Sequence, residues 1–351
     1  MNDKKLSRRD FIKWTGTGSG LAVAGLYGFM PKSVYAASPK LMTGVTYYTP
    51  SYKGILSVKQ EFIKHLSEEA GDHFKVDFYD SGTLMKADEQ TSALRTGTIQ
   101  YMFHTTSYIT RSFKILGITG LPSLVQNLYT NGELIEMESP LWKLINDELA
   151  KDDIFMLTAG GGVLEPEYIW SGDKKIASLD DLSGKRLRIV SYEATEALKQ
   201  FGSAGVRIPS SETYLALQRG TVDGAVVNIN TNMGRRLYEQ LKNCYQLPVT
   251  AFTVGLFMSK RRWDSLDTET KSAFWTAAGW YDKNFCSQVN NDYNKKQYWP
   301  QIQETGLEIF APTEKETRLF QQKSEPIWDW WKKEVGETVG QKAIDLAMGA
   351  K

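Results

Sequence analysis

The chain has 351 residues, 42 Lys+Arg against 41 Asp+Glu, a formal net charge of +1 and two cysteines. So even a charge balance lacks the basic excess of a nucleic-acid binder. The length suits two domains with ample cores, and two lone cysteines set no disulfide framework.

The opening segment places Arg8 and Arg9 before Phe11 and Lys13, then runs from Trp14 to Met30 through mildly apolar residues diluted by Gly and Thr. This reads as a twin-arginine export signal, too weak in its apolar run for a permanent membrane span. Val34-Tyr35-Ala36 supplies the small residues a signal peptidase needs, so cleavage is expected after Ala36 and residues 1–36 are assigned to the signal. Without them the chain keeps 36 Lys+Arg against 39 Asp+Glu, about −3. No later apolar run reaches membrane-spanning length, and a soluble periplasmic protein is expected. An oxidising compartment would permit Cys244 and Cys286 to pair without requiring it.

After the signal, LMTGVTYYT predicts a strand and SVKQEFIKHLSEEAG a helix with Val58, Phe62, Ile63 and Leu66 on one face. FKVDFY predicts a second strand, EQTSALRTG a helix and TIQYMF a third strand. This alternation is the signature of a parallel sheet wound by crossovers. It resumes in GKRLRIV, EATEALKQFG, GVRIP, SETYLALQRG and VDGAVV, giving a second α/β unit. VLEPEYIW and FTVGLFMSK are extended apolar runs that would cross between the units. A helical stretch is expected from about Thr268 to Trp299, interrupted at Pro300. The tail PIWDWWKKEVGETVGQKAIDLAM reads as one amphipathic helix whose tryptophans pack in a core. The expected architecture is an α/β, two-lobed periplasmic-binding-protein fold, each lobe a sheet flanked by helices with a ligand cleft between. Lobe I takes 37–164 plus 254–293, and lobe II takes 165–253 plus 294–351.

Enzymatic signatures are missing. The histidines, His65, His73 and His104, have no ligand spacing, and there is no CxxC, GxSxG or phosphate-binding glycine loop. Gly160-Gly161-Gly162 lacks a following helix start and reads as a hinge or turn. No cofactor and no metal site is expected.

A cleft at the carboxyl ends of two sheets is where open α/β folds bind ligands. In GKRLRI, alternation puts Arg186 and Arg188 on one strand face, with Lys185 solvated at the loop end. A buried arginine is costly without a partner, and a bound carboxylate or sulfonate is one such partner. An Asp or Glu of the same domain is the other, and spacing alone leaves both open.

The run DLSGKRLRIVSYEATEALKQFGSAGVRIPSSETYLALQRGTVDG resembles the signature region of the extracytoplasmic solute receptors of TRAP transporters, the DctP-type binding proteins. Gly184, Arg188, Gly202, Pro209, Glu212, Tyr214, Gln218, Gly220, Asp223 and Gly224 carry the match, and YDSGTLMKADEQTSALRTGTIQYMF is similar to the family's N-terminal region. The resemblance implies a receptor that closes on an organic acid and delivers it to small and large integral membrane subunits. It implies that Arg188 forms a bidentate pair with the ligand carboxylate, and that Arg186 is structural. Where many members carry a second ligand-side arginine, this chain has Tyr168 beside Glu167. Where many carry an asparagine after VDG, it has Val227, with Asn228 and Asn230 adjacent. These departures point to a monoanion rather than a C4-dicarboxylate or sialic acid. The same carry-over offers Tyr47 and Tyr48 from the first strand's end, His104, Thr105 and Tyr108 after the third, Phe252 or Thr253 from a crossing segment, and Ser210 before the SETYLALQ helix. Ser211 reads as a helix N-cap rather than a nucleophile.

The expectation is a monomeric solute-binding subunit that captures a small organic anion: a carboxylate, keto acid, aromatic acid or sulfonate. The alternatives are a cofactor-independent periplasmic lyase or isomerase, and a ligand-sensing interaction protein.

Overall fold

The computed structural model describes residues 40–350; the twin-arginine segment lies outside the described residues. Eleven strands are described: β1 (Lys40–Val45), β2 (Phe74–Tyr79), β3 (Tyr101–Thr105), β4 (Ile154–Thr158), β5 (Glu167–Ser171), β6 (Arg186–Arg188), β7 (Ala204–Val206), β8 (Gly224–Val227), β9 (Asn243–Thr250), β10 (Val254–Ser259) and β11 (Glu308–Phe310). They form two sheets, ordered β2-β1-β3-β10-β4 and β11-β9-β5-β8-β6-β7. The first begins as the expected parallel β1, β2 and β3, and the second contains the expected parallel β6, β7 and β8. The chain leaves the first sheet at β4 and enters the second as β5; it returns from β9 as β10, which runs antiparallel between β3 and β4. β5 likewise runs antiparallel between β8 and β9. The two crossing runs are therefore central strands, which explains their almost wholly apolar composition.

The helices are α1 (Lys53–Ala70), α2 (Ala87–Thr96), α3 (Thr106–Ile109), α4 (Val125–Thr130), α5 (Pro140–Leu149), α6 (Tyr192–Lys199), α7 (Thr213–Gln218), α8 (Ile229–Gly234), α9 (Lys260–Asp264), α10 (Thr268–Ser287), α11 (Trp299–Gln303), α12 (Glu314–Val335) and α13 (Glu337–Ala347). α1 buries Val58, Phe62 and Leu66 against the first sheet. The helix after α10 does not break at Pro300. Residues Gln288–Tyr298 widen into a π-helical stretch, and the register returns to α at Trp299, so Pro300 sits in the first turn of α11, where a missing N–H costs little.

The tail differs from one helix. α12 starts at Glu314 behind a capping box in which Thr313 and Glu316 each satisfy the other's backbone, and Pro326 lies inside it. Gly336 then breaks the run. Phe320 and Ile327 of α12 belong to the second lobe's core, whereas Trp331 and Ala343, Ile344 and Ala347 of α13 belong to the first. Residues 336–350, expected with the second lobe, therefore pack on the first, because their apolar face meets α5 and the 3-10 turn Lys114–Gly120. The tryptophans are packing residues: Trp331 Nε1 donates to the Lys114 carbonyl and Trp328 Nε1 to that of Pro122, each at 2.9 Å.

The Gly160–Gly162 run turns the chain out of β4 with all three residues at positive φ. A Cβ on Gly161 would lie 1.9 Å from the Asp282 carbonyl oxygen, so both conformation and space require glycine there. Cys244 in β9 and Cys286 in α10 are buried and free. No described helix is long and apolar enough to cross a membrane.

Candidate functional site

The ends of five elements meet between the sheets. Tyr47 and Tyr48 follow β1, Thr105 ends β3, Tyr108 lies in α3, Arg188 ends β6, and Glu167 starts β5. With Ser210 and Phe252 they line one cavity, joined by Tyr52, Ser107, Val190 and Thr231. The lobes are drawn together over it. Ser210 N donates to Tyr108 Oη (2.9 Å), Arg207 Nη2 to the Tyr108 carbonyl (3.2 Å) and Ser51 Oγ to the Gly234 carbonyl (2.7 Å). The inner chamber measures about 10 Å³, and a mouth of about 480 Å³ lined by Lys86, Asp88, Glu212 and Arg235 adjoins it.

The two arginines of β6 separate sharply. Arg186 is 45% exposed and pairs with Asp223 at 3.1 Å, while donating to the Gly220 carbonyl at 2.8 Å. Its charge and hydrogen bonds hold the Asp223 carboxyl well below the usual range. Arg188 is 2% exposed. Its Nε donates to the Ile208 carbonyl at 2.9 Å, and among the described residues no carboxylate reaches its guanidinium as an ion pair. Arg188 lines the cavity, and among the described residues its terminal amines have no hydrogen-bond acceptor; a guanidinium left so can take a bidentate anion.

Glu167 is the one carboxylate lining the chamber. Burial pushes its pKa up to about 7, with the Arg188 charge pulling the other way. Its Oε2 is buried and has no hydrogen-bond partner among the described residues. Tyr168, expected in place of the second arginine, is turned away. Alternation along β5 sends it to the opposite face, where its ring meets Trp299 at 6.0 Å between centroids. Asn228 also misses the chamber: its Oδ1 accepts from Thr231 N as the N-cap of α8, and its buried Nδ2 has no partner.

His104 lies inside β3, buried, with its ring nitrogens 3.0 Å from the carbonyl oxygens of Thr105 and Ala87, so it supports the strand instead of lining the cavity. Thr253 is likewise buried behind the crossing segment, bonded to the Ala159 carbonyl. Ser211 caps nothing; it sits within a 3-10 turn, Ser210–Glu212, ahead of α7.

The aromatic wall is tightly tied. Tyr47 and Tyr48 stack at 4.5 Å, and both hydroxyls bond to Thr105 Oγ1. Burial raises both phenol pKa values, so the groups stay protonated. Behind them Lys59, fully buried on α1, places Nζ 3.9 Å from the Tyr48 ring centroid and donates to Thr46 Oγ1 at 3.2 Å. Burial holds its pKa well below the usual lysine range.

Sequence reasoning missed Tyr52, Ser107, Val190 and Thr231, and it missed a second arginine. Arg235, after α8, donates through Nε to Tyr52 Oη at 3.1 Å and faces the mouth. The only prior signal for it was its place a few residues after VDG and the asparagines.

Residues 46–334 match the family model described as "Bacterial extracellular solute-binding protein, family 7". The chain belongs to this family. A "Solute-binding protein" of Albidiferax ferrireducens is 25% identical over 243 residues, covering 64% of this chain and 66% of that protein. In fold the chain is similar to a TRAP periplasmic solute-binding protein from Haemophilus influenzae with bound L-gulonate, at TM-score 0.76 and 21% identity, covering 89% of this chain and all of that one. It is also similar to DctP6, a Bordetella pertussis extracytoplasmic solute receptor binding pyroglutamic acid, at TM-score 0.74 and 19% identity, over 88% of this chain and 99% of that one. Both the α/β class and the two-lobed architecture read from the sequence stand, and the family's members are solute-binding receptors. The chain is thus a member of a family of bacterial extracellular solute-binding proteins.

Proposed function

We propose that this protein captures one small organic anion in the periplasm, after export through its twin-arginine segment, and hands it to the two integral membrane subunits of a TRAP transporter. The observation that carries the reading is Arg188, a nearly fully buried arginine that forms no ion pair among the described residues. Leaving such a charge unpaired is expensive, and a carboxylate accepting two parallel hydrogen bonds removes the cost. The neighbours with bound L-gulonate and pyroglutamic acid support an organic acid as that partner.

Tyr47, Tyr48, Thr105, Tyr108, Ser210 and Glu167 would complete the ligand's surroundings, with Tyr168 and Asn228 supporting the strands behind. The lobes act as separate bodies that rotate shut on the bound acid, and the closed monomer is the form the membrane subunits read. A melting-temperature screen of carboxylates, keto acids, aromatic acids and sulfonates tests this. A ligand at about a hundred times its dissociation constant adds about 2.7 kcal/mol, a readily measured shift. No shift with any organic anion would overturn the reading.

A further inference from the structure

We propose that the cavity selects carboxylates bearing a hydrogen-bond donor, an ammonium or a hydroxyl, on the carbon beside the carboxylate, and that Glu167 is the residue that reads this donor. This rests on the anion reading of Arg188 given above.

Arg188 and Glu167 are the one cation and the one carboxylate among the residues lining the chamber. They sit close enough for the arginine charge to act on the carboxyl, yet they do not close into an ion pair among the described residues, so neither group consumes the other. Glu167 is 3% exposed. Its Oε2 is sealed from solvent with no partner, and a buried acceptor left unmade carries a full desolvation penalty.

The neighbouring donors are committed elsewhere or fail to reach it. The Tyr47 and Tyr48 hydroxyls are bonded to Thr105. Asn228 stands opposite Glu167 when the Tyr168–Val227 register is continued by one residue, but its Nδ2 makes no bond to the acid. What is left is an acceptor oxygen beside a bidentate cation. A carboxylate on Arg188 whose adjacent carbon carries N–H or O–H satisfies both at once. A keto or unsubstituted acid carries no donor on that carbon and leaves Glu167 Oε2 without one.

The test is calorimetry on the exported chain with matched acids: propionate, pyruvate, lactate and alanine, and the corresponding set on a six-carbon skeleton. Each is used up to about 10 mM, above the millimolar end of the affinity scale. At least one donor-bearing acid should bind about tenfold or more tighter than its keto and unsubstituted partners, the factor expected from one buried group left unpaired. Glu167→Gln should shrink that preference severalfold, because a neutral amide oxygen is a weaker acceptor than a carboxylate. Equal binding across a set, no binding by any donor-bearing acid, or a preference undiminished by Glu167→Gln would overturn the proposal. Should the glutamine variant fold poorly, the wild-type comparison alone still decides. Arg188→Ala separates the two readings: loss of all binding without a donor preference overturns only the role of Glu167, whereas unchanged binding overturns the anion site itself.

Discussion

Arg186 and Arg188 are two residues apart in one short strand and meet opposite fates, and the difference lies in what surrounds each guanidinium. Arg186 has Asp223 from the VDG turn and solvent beside it. Arg188 has a backbone carbonyl and a cavity. Removing the first leaves the Asp223 carboxylate still paired with Lys174, away from the cavity. Removing the second deletes the charge that the cavity is built around. Arg188→Ala should therefore weaken binding of the physiological acid by at least about 2 kcal/mol, roughly thirtyfold, from loss of a charge-assisted pair. Arg188→Lys should recover only part of this, because an ammonium cannot present the parallel fork. Arg186→Ala should leave affinity unchanged. Titration calorimetry of the three variants checks the order, and equal losses at both positions would contradict it.

At the scale of elements, the strands and helices on either side of the cleft were largely legible because each βα unit carries its own period and its own Gly or Pro stop. The crossing strands were legible as apolar runs, but their antiparallel placement was not, since it depends on which sheet the chain enters. The face of β5 shows the limit most clearly. Counting residues from Arg188 led to Tyr168 with Glu167 beside it; Glu167, at the end of β5 that meets the cleft, lines the cavity, whereas Tyr168 one step on packs against Trp299. The π-helical stretch and the return of α13 to the first lobe depend on tertiary packing, which no local pattern reports.

The crossing segment ahead of β5 carries another buried acid, Glu165. Burial pushes its pKa from the ordinary 4.5 up to about 7, opposed by hydrogen bonds from Trp299, Asn294 and Tyr168. The folded state therefore holds this proton more tightly than the unfolded chain. Its contribution to stability is fully present below about 4.5 and declines as the pH rises through about 7. Glu167 has the same sign, whereas His104, held neutral by burial, has the opposite one. The net profile thus mixes terms, and a variant isolates one of them. Glu165→Gln should reduce the loss in melting temperature between pH 5 and pH 8 by a few degrees relative to wild type. An unchanged difference would show that this acid is not titrating in the folded state.

For the whole molecule, several individually weak bonds span the cleft between the lobes. Tyr108 supplies two of them, accepting from Ser210 N through its hydroxyl and from Arg207 through its carbonyl. A receptor must open to load and close to signal, so the closing contacts have to be worth little on their own, and the ligand supplies the rest by binding the closed form better. Tyr108→Phe deletes the hydroxyl bond and keeps the ring and the carbonyl. The loss of one neutral hydrogen bond, about 1 kcal/mol, should shift the unliganded population toward the open form and weaken apparent affinity about fivefold, because only the closed-competent fraction binds tightly. Small-angle scattering should show a larger radius of gyration for the unliganded variant and equal radii for variant and wild type at saturating ligand. A radius that stays larger under saturation would mean that Tyr108 shapes the closed state itself, and identical radii and affinities throughout would mean that its bond to Ser210 plays no part in closure.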